Sequence, residues 1–403
     1  MIHGAPDAVC CLLFFLTVSC CRCPLSATLL PGLSLAMGTP HDDIQKACVL
    51  GSGAFGTALA QLMARKGVPT TAWTRSQDVT DLITSTHENT PYLPGIKLSE
   101  LVVATTEVSE AAEGASIVFI VVPTPFIRGM YPSTSDFIVK HRDKIPTGVP
   151  IVVCCKGIEN GSLLTPFEIL EEELPGKYHK HLACLSGPSF AREVALGKPT
   201  SVTVAAKDMA CATKVQQMVS DLNFRAYTSD DVMGLELFGA VKNVLAIACG
   251  ASDGFEFGLN ARAALITRGL AEISRMAVKK GASPLSMGSL CGVGDLVLTC
   301  TGSLSRNWTV GNRLARGEDL DTITTSMRMV AEGVKTASSV VALSAKMGVE
   351  MPICQEVFEA SVLHNKKPVM EALASLQGRP HSHDLSLELK HSEGWKSMGV
   401  GHP

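Results

Sequence analysis

Charged and aromatic residues are both scarce in this sequence. Only 18% of the 403 residues are charged and 5% are aromatic, whereas 46% are apolar. So high an apolar fraction excludes a disordered or collagen-like chain. The scarcity of aromatic rings predicts cores built from aliphatic side chains and alanine. The length exceeds that of one ordinary domain and indicates two.

The sequence also lacks an excess of either charge. It has 35 basic and 38 acidic residues, which gives a formal net charge of −3. A broad basic surface is therefore not expected, and no nucleic-acid partner is predicted. An anionic ligand would have to be held by a few well-placed groups.

The nine cysteines from Cys48 to Cys354 include no CxxC pair, and most of them lie in apolar runs. This pattern is typical of buried, reduced thiols in a reducing compartment. Neither a metal site nor a disulfide framework is predicted.

No apolar run near the N-terminus is long enough to span a membrane. Ala8–Cys21 falls short of the roughly 20 residues that a spanning helix needs. Its length fits a signal h-region, but Met1–Asp7 carries no Lys or Arg. Two interpretations of residues 1–45 are weighed evenly: a targeting leader, or an untranslated stretch before a true start at Met37. Residues 379–403 are predicted to be a disordered tail without a peroxisomal tripeptide.

A strand, a glycine-rich turn, a helix and a second strand follow within about 30 residues. The turn reads GSGAFG from Gly51 to Gly56, and the second strand is predicted over Val68–Trp73. In this context GxGxxG indicates dinucleotide binding, with the phosphates at the helix N-terminus. We expect Gly51 to permit the turn, Gly53 to let the backbone approach the pyrophosphate, and Gly56 to allow helix–strand packing.

The choice between NAD and NADP is left open. An acidic residue at the end of the second strand would bind the ribose 2′-hydroxyl, but no acid appears before Asp78. Arg75 could instead cover the adenine or accept a 2′-phosphate, or it could be an ordinary surface arginine.

Further strands are predicted, and their carboxyl ends point to function. Ligands of doubly wound sheets lie beyond these ends. Lys156, Pro123–Phe126 and the segment Ser186–Ala191 all lie at or just after the ends of predicted strands. The predicted strands are Leu101–Ala104, Ser116–Val122, Pro150–Cys155, His181–Ser186 and Thr200–Ala205.

After residue 230 the pattern becomes helical. A long apolar helix over Leu235–Cys249 carries Lys242 and Asn243. A lysine among small apolar residues is costly to bury and would have a lowered pKa, so we favour a proton-transfer role over a snorkelling lysine. Asp295 could pair with it or could be a helix N-cap. The segment Ser305–Asn307 places a guanidinium beside an amide, which suits phosphate recognition.

Together these segments resemble NAD(P)-dependent glycerol-3-phosphate dehydrogenases of the bacterial and trypanosomatid type. The resemblance runs from about Lys46 to Leu376. The motifs that carry it are GSGAFGTALA, CCKGIENG, LSGPSFAREVALGKPT, GAVKNVLAIACG, NARAALITRG, GVGDLVLTCTGSLSRNWTVG and AEGVKT.

The resemblance implies an N-terminal Rossmann-type doubly wound sheet (residues 46–230) followed by an all-α domain (residues 231–378), as in 6-phosphogluconate dehydrogenase-like folds. It implies interconversion of sn-glycerol 3-phosphate and dihydroxyacetone phosphate with NAD or NADP, linking glycolysis to glycerolipid synthesis. A cytoplasmic homodimer is the family-level expectation, with organelle targeting through the leader as the alternative.

The resemblance also implies roles for individual residues. The catalytic group is Lys242, Lys156 and Asp295. Cofactor contacts are assigned to Gly51, Gly53, Ala54, Phe55, Gly56, Arg75, Lys156, Ala191, Arg306, Val330 and Glu332. Substrate contacts are assigned to Lys156, Gly187, Ser189, Lys242, Asn243, Asp295, Thr299, Ser305, Arg306 and Asn307.

Two other functions fit parts of the pattern. A β-hydroxyacid dehydrogenase would share the architecture and the Lys-Asn pair, but a carboxylate substrate would not need the phosphate-type anchor at Ser305–Asn307. A dinucleotide sensor without catalysis would not need Lys156, Lys242 and Asp295 together.

Overall fold

The computed structural model of the protein describes residues 44–128, 140–327, 331–360 and 367–378. The predicted leader before residue 44, the predicted tail and Val330 lie outside these ranges.

The N-terminal half of the described chain forms one eight-stranded sheet with the order β3-β2-β1-β4-β5-β6-β7-β8. All neighbouring strands are parallel except β6 and β7, which are antiparallel. The predicted Rossmann-type sheet followed by a helical domain is confirmed. The strands are β1 Ala47–Leu50, β2 Thr70–Trp73, β3 Val102–Thr105, β4 Ile117–Ile120, β5 Ile151–Val153, β6 Leu182–Ser186, β7 Thr200–Ala205 and β8 Phe224–Ser229.

Both faces of the central strands are buried. In β1, Val49 packs into one hydrophobic cluster, whereas Cys48 and Leu50 pack into a cluster on the opposite face. β4 alternates in the same way and is fully buried. This explains why these strands are apolar at every position. The helices of this half are α1 Ala54–Arg65, α2 Gln77–Thr86, α3 Val108–Ala112, α4 Pro166–Glu173, α5 Ala191–Ala195 and α6 Met209–Val219.

The sequence prediction missed one strand and lengthened others. β8 was not predicted because it lies at the sheet edge: Phe224 and Ala226 are buried while Arg225 and Tyr227 are exposed. Its alternation gives a weaker signal than a continuous apolar run. The strand predicted over Val68–Trp73 begins only at Thr70, and the one predicted over Pro150–Cys155 is only three residues long.

The second half is helical around one central helix. α7 spans Val232–Gly254 and is long and apolar enough to cross a membrane, but 94% of its most apolar stretch is buried within the protein. It is therefore a core helix. The other helices are α8 Gly258–Lys279, α9 Asp295–Thr301, α10 Arg306–Ala315, α11 Leu320–Ser326, α12 Glu332–Met347, α13 Pro352–Glu359 and α14 Val369–Gln377.

Two glycines bring α10 against α7. A Cβ added to Gly250 would lie 2.0 Å from the carbonyl oxygen of Trp308, and one added to Gly311 would lie 1.9 Å from that of Ile247. Neither site accepts a larger residue without a backbone shift. This close approach places the start of α10 beside the lysine-bearing part of α7.

Candidate active site

The glycine-rich turn joins β1 to α1 at the carboxyl edge of the sheet. Gly51 has a φ of +117°, which favours glycine, and a Cβ on Gly56 would lie 1.8 Å from the carbonyl oxygen of Gly51. A Cβ on Gly53 would meet nothing within 4 Å. Gly53 is also the N-cap of α1 and supplies no side-chain cap. The open surface and the N–H groups of the first helical turn fit a dinucleotide pyrophosphate.

Two lysines share one buried carboxylate. The Nζ of Lys156 lies 2.8 Å from Oδ2 of Asp295, and the Nζ of Lys242 lies 3.2 Å from Oδ1. Lys156 follows β5 and Lys242 lies in the middle of α7, so the pair joins the sheet edge to the helical domain. The three residues predicted to form the catalytic group are therefore in direct contact.

Asp295 is not a helix N-cap. It is the first residue of α9, and its N-cap position is occupied by Gly294. Its carboxylate is 2% exposed and is directed to the lysines. The hydroxyl of Thr299, one turn later, accepts a hydrogen bond from Lys242 at 2.7 Å and donates to the Asp295 carbonyl at 2.6 Å. The start of α9 thus fixes the position of the Lys242 ammonium.

Burial lowers the pKa of Lys242 to about 8. The loss of hydration is the largest cause; Asp295 opposes it by favouring the charged form, and the second positive charge of Lys156 adds to it. An amine in this range changes protonation near neutral pH. It can therefore donate a proton in one direction of a reaction and accept one in the other.

The segment Ser305–Asn307 begins α10. Ser305 is the N-cap, and its hydroxyl accepts from the Trp308 N–H at 3.3 Å. Both ends of the Asn307 amide contact protein: Nδ2 donates to Asn243 Oδ1 at 3.0 Å, and Oδ1 accepts from the Gly333 N–H at 2.9 Å. Arg306 is half-buried between them. These contacts join the start of α10 to the lysine-bearing helix α7 and to the start of α12.

Glu332 lies in the same charged environment as the lysines. It is the first residue of α12. Burial raises the pKa of Glu332, and the positive charges of Arg306, Lys156 and Lys242 oppose that rise. Glu332, a predicted cofactor contact, thus shares the influence of Lys156 and Lys242 with Asp295.

The remaining predicted contacts within the described residues lie just after the carboxyl ends of β1, β2 and β6. Gly187 follows β6 with a φ of +144° and accepts a hydrogen bond from the Ser189 hydroxyl at 2.9 Å. Ala191 begins α5, and Arg75 is exposed just after β2. Ala54 and Phe55 begin α1 and are partly buried.

Two buried hydroxyls lie in strand-end segments that the sequence points to, although neither residue is among the predicted cofactor or substrate contacts. Thr124 Oγ1 and Ser186 Oγ have no hydrogen-bond partner among the described residues. Thr124 lies against Gly157, whose φ of +150° favours glycine, and Ser186 lies against Gly239 of α7. Both flank Lys156. Their positions at or just after strand ends are the signal in the sequence, but that signal does not distinguish these hydroxyls from the other residues of the same segments.

Comparisons with known proteins identify the family of this chain. The family model described as NAD-dependent glycerol-3-phosphate dehydrogenase N-terminus matches residues 46–212, and the corresponding C-terminus model matches residues 231–374. The chain is 47% identical over 338 residues to glycerol-3-phosphate dehydrogenase (NAD(P)+) of Myxococcus xanthus, covering 84% of this chain and 98% of that one. The chain belongs to the NAD-dependent glycerol-3-phosphate dehydrogenase family.

Other members of this family agree in sequence and in structure. The glycerol-3-phosphate dehydrogenase (NAD(P)+) of Bacillus velezensis is 42% identical over 342 residues, which cover 85% of this chain and 96% of that one. The crystal structure of the glycerol-3-phosphate dehydrogenase of Coxiella burnetii is 35% identical with a TM-score of 0.77, and the match covers 83% of this chain and 99% of that one. The family resemblance predicted from the motifs is confirmed.

Proposed function

We propose that the protein interconverts dihydroxyacetone phosphate and sn-glycerol 3-phosphate with NAD or NADP. The observation that carries the proposal is the buried Lys242, which shares the Asp295 carboxylate with Lys156 at the carboxyl edge of a nucleotide-binding sheet. The named activity of its relatives supports this choice.

The nicotinamide, when bound, supplies a hydride to the C2 carbonyl or accepts one from C2. Lys242 as an ammonium stabilises the charge that develops on the C2 oxygen and donates the proton. In the reverse direction its neutral amine accepts the hydroxyl proton. Asp295 holds this amine in place, and Lys156 brings a second positive charge to the same site.

The phosphate is held by the start of α10. Arg306 offers a planar guanidinium suited to bidentate phosphate contacts, with Ser305 and Asn307 beside it. Binding energy from this remote group positions the carbonyl for reaction. The further substrate contacts we propose are Gly187, Ser189, Asn243 and Thr299.

The glycine-rich turn and the residues around it would hold the cofactor in this proposal. Gly51, Gly53 and Gly56 shape the turn, and Ala54, Phe55, Arg75, Ala191, Arg306, Val330 and Glu332 contribute contacts. The absence of an acid at the end of β2 is compatible with both NAD and NADP.

Three broader proposals follow from family membership. The boundary between the two domains lies near residue 230, where the last strand ends and α7 begins. The protein is a homodimer, which light scattering of the purified protein would test. It acts in the cytoplasm, which fractionation of cells would test against organelle targeting.

Steady-state kinetics test the proposed reaction. We expect oxidation of NADH or NADPH with dihydroxyacetone phosphate and much slower turnover with small 3-hydroxy or 3-keto acids. Faster turnover of the acids would assign the protein to β-hydroxyacid chemistry instead. Cofactor binding without turnover of any ketone phosphate would indicate a sensor.

A further inference from the structure

A buried amide lies beneath the glycine-rich turn. Asn89 follows α2 and is 0% exposed. Its Nδ2 donates two hydrogen bonds: one to the carbonyl oxygen of Ser52 at 2.9 Å and one to Oγ1 of Thr57 at 2.8 Å. The Thr57 hydroxyl in turn donates to the same Ser52 carbonyl at 3.2 Å. The peptide group between Ser52 and Gly53 therefore accepts hydrogen bonds from two side chains, Asn89 and Thr57.

That peptide group joins Ser52 to Gly53, the second and third residues of GxGxxG. It is trans, so its C=O and the following N–H point in opposite directions. Because the Ser52 carbonyl is directed down to Asn89, the Gly53 N–H is directed to the opposite side. A Cβ added to Gly53 would meet no protein atom within 4 Å, so there is open space beside this residue for a ligand.

Asn89 is itself firmly placed. Its carbonyl accepts from the N–H groups of Tyr92 and Leu93, at 3.2 and 2.7 Å. Leu93 is buried in the core cluster on the α1 face of the sheet. The Asn89 Oδ1 is buried without a hydrogen-bond partner in the described part of the chain. An unpaired buried oxygen is costly, so the two hydrogen bonds of Nδ2 are what this side chain contributes.

We infer that Asn89 is a positioning residue for the dinucleotide: it fixes the Ser52–Gly53 peptide so that the Gly53 N–H faces the pyrophosphate. This inference deepens the proposed function and rests on its cofactor site. Asn89 does not touch the reacting atoms, so it controls cofactor affinity and leaves the proton-transfer chemistry of Lys242 unchanged.

The test is direct NADH binding, measured by fluorescence titration of Asn89→Ala and Asn89→Asp. Alanine removes both donors, and aspartate places an oxygen against the Ser52 carbonyl. We expect Kd for NADH to rise by about tenfold in each, the size expected for losing one or two buried hydrogen bonds. We expect kcat at saturating NADH to stay within about twofold of the wild type.

Leu93→Ala is the matched control because it removes packing from the same segment without touching Ser52 or Thr57. It should lower the melting temperature and leave Kd unchanged. An unchanged Kd in Asn89→Ala, or an equal rise in Leu93→Ala, would overturn the inference. Hydrogen exchange of the peptide spanning residues 48–58 in the free protein gives a second readout, which should be faster in Asn89→Ala only.

A second pair of variants keeps the test decisive if Asn89 variants fail to fold. Thr57→Val removes the hydroxyl that links Asn89 to Ser52, whereas Thr57→Ser retains it. Kd should rise with valine and stay near the wild-type value with serine; equal values would contradict the inference. If the wild type binds NADH but does not turn over dihydroxyacetone phosphate, the proposed reaction fails while these Kd comparisons still decide the role of Asn89.

Discussion

Lys242 and Asp295 form an ion pair in which both side chains are almost fully buried, with Nζ 3.2 Å from Oδ1. Despite this partner, the pKa of Lys242 lies below its ordinary value, because the loss of hydration outweighs the attraction. The pair therefore holds the amine in place and keeps its proton exchangeable.

Removing the Lys242 amine should abolish most of the catalytic activity. We expect Lys242→Ala to lower kcat by about 10²–10⁴-fold, the usual contribution of a general acid or base, while Kd for NADH stays near the wild-type value. Steady-state kinetics and fluorescence titration measure the two quantities. Normal turnover in this variant would remove Lys242 from the mechanism.

The two directions of the reaction should respond oppositely to pH. With a pKa of about 8, Lys242 is an ammonium below this pH and a neutral amine above it. Reduction of dihydroxyacetone phosphate needs the ammonium, so its kcat should fall as pH rises through about 8. Oxidation of glycerol 3-phosphate needs the amine, so its kcat should rise over the same range. Parallel pH profiles for both directions would contradict this assignment.

Neutralising Asp295 should shift the pH dependence of kcat to lower pH. In Asp295→Asn the attraction that raises the pKa of Lys242 is lost, while the repulsion from Lys156 remains. The fall in the reductive kcat should therefore begin at a lower pH than in the wild type. Asp253→Asn is a suitable control, since Asp253 pairs with Arg262 at 2.8 Å instead; its pH profile should match the wild type.

Alanine substitutions at two glycines of the turn should have different effects, one on NADH binding and the other on stability. Gly53 has an ordinary φ of −65° and open space around it. Gly53→Ala should therefore fold normally but bind NADH more weakly, because the methyl group occupies the ligand side. Gly56→Ala forces a Cβ onto the Gly51 carbonyl and should cost about 1–3 kcal/mol of stability. Thermal melting and NADH titration separate the two effects; equal melting temperatures would contradict the packing role of Gly56.

Stability should depend on pH through a buried acid on α7. Burial raises the pKa of Glu236 from 4.5 to about 8. Between these values the folded protein keeps a proton that the unfolded chain has lost, so this group's contribution to stability falls as pH rises from about 4.5 to about 8. Glu236→Gln stays neutral and should show a smaller decline in urea unfolding experiments. Glu100 is exposed, so the stability of Glu100→Gln should change with pH as that of the wild type does. An equal change of the free energy of unfolding with pH in all three proteins would exclude the effect.

Local patterns in the sequence predict the two-part architecture and most of the strands, but not the edge strand β8. The apolar run around β4 indicates a strand buried on both faces, and the glycine spacing between a predicted strand and a predicted helix indicates a nucleotide site. These features follow from short-range sterics and burial, which a sequence records directly. The lysine within α7 was identified as functional because its neighbours are small and apolar.

Pairings between distant polar groups were decided only by the tertiary structure. Lys156 and Asp295 are separated by 139 positions, and no local pattern could choose between a lysine partner and a helix cap for Asp295. The same holds for Asn307, whose amide contacts Asn243 and Gly333, and for Asn89 beneath the glycine-rich turn. A sequence indicates which residues are buried, but which buried polar groups satisfy one another depends on how the elements pack.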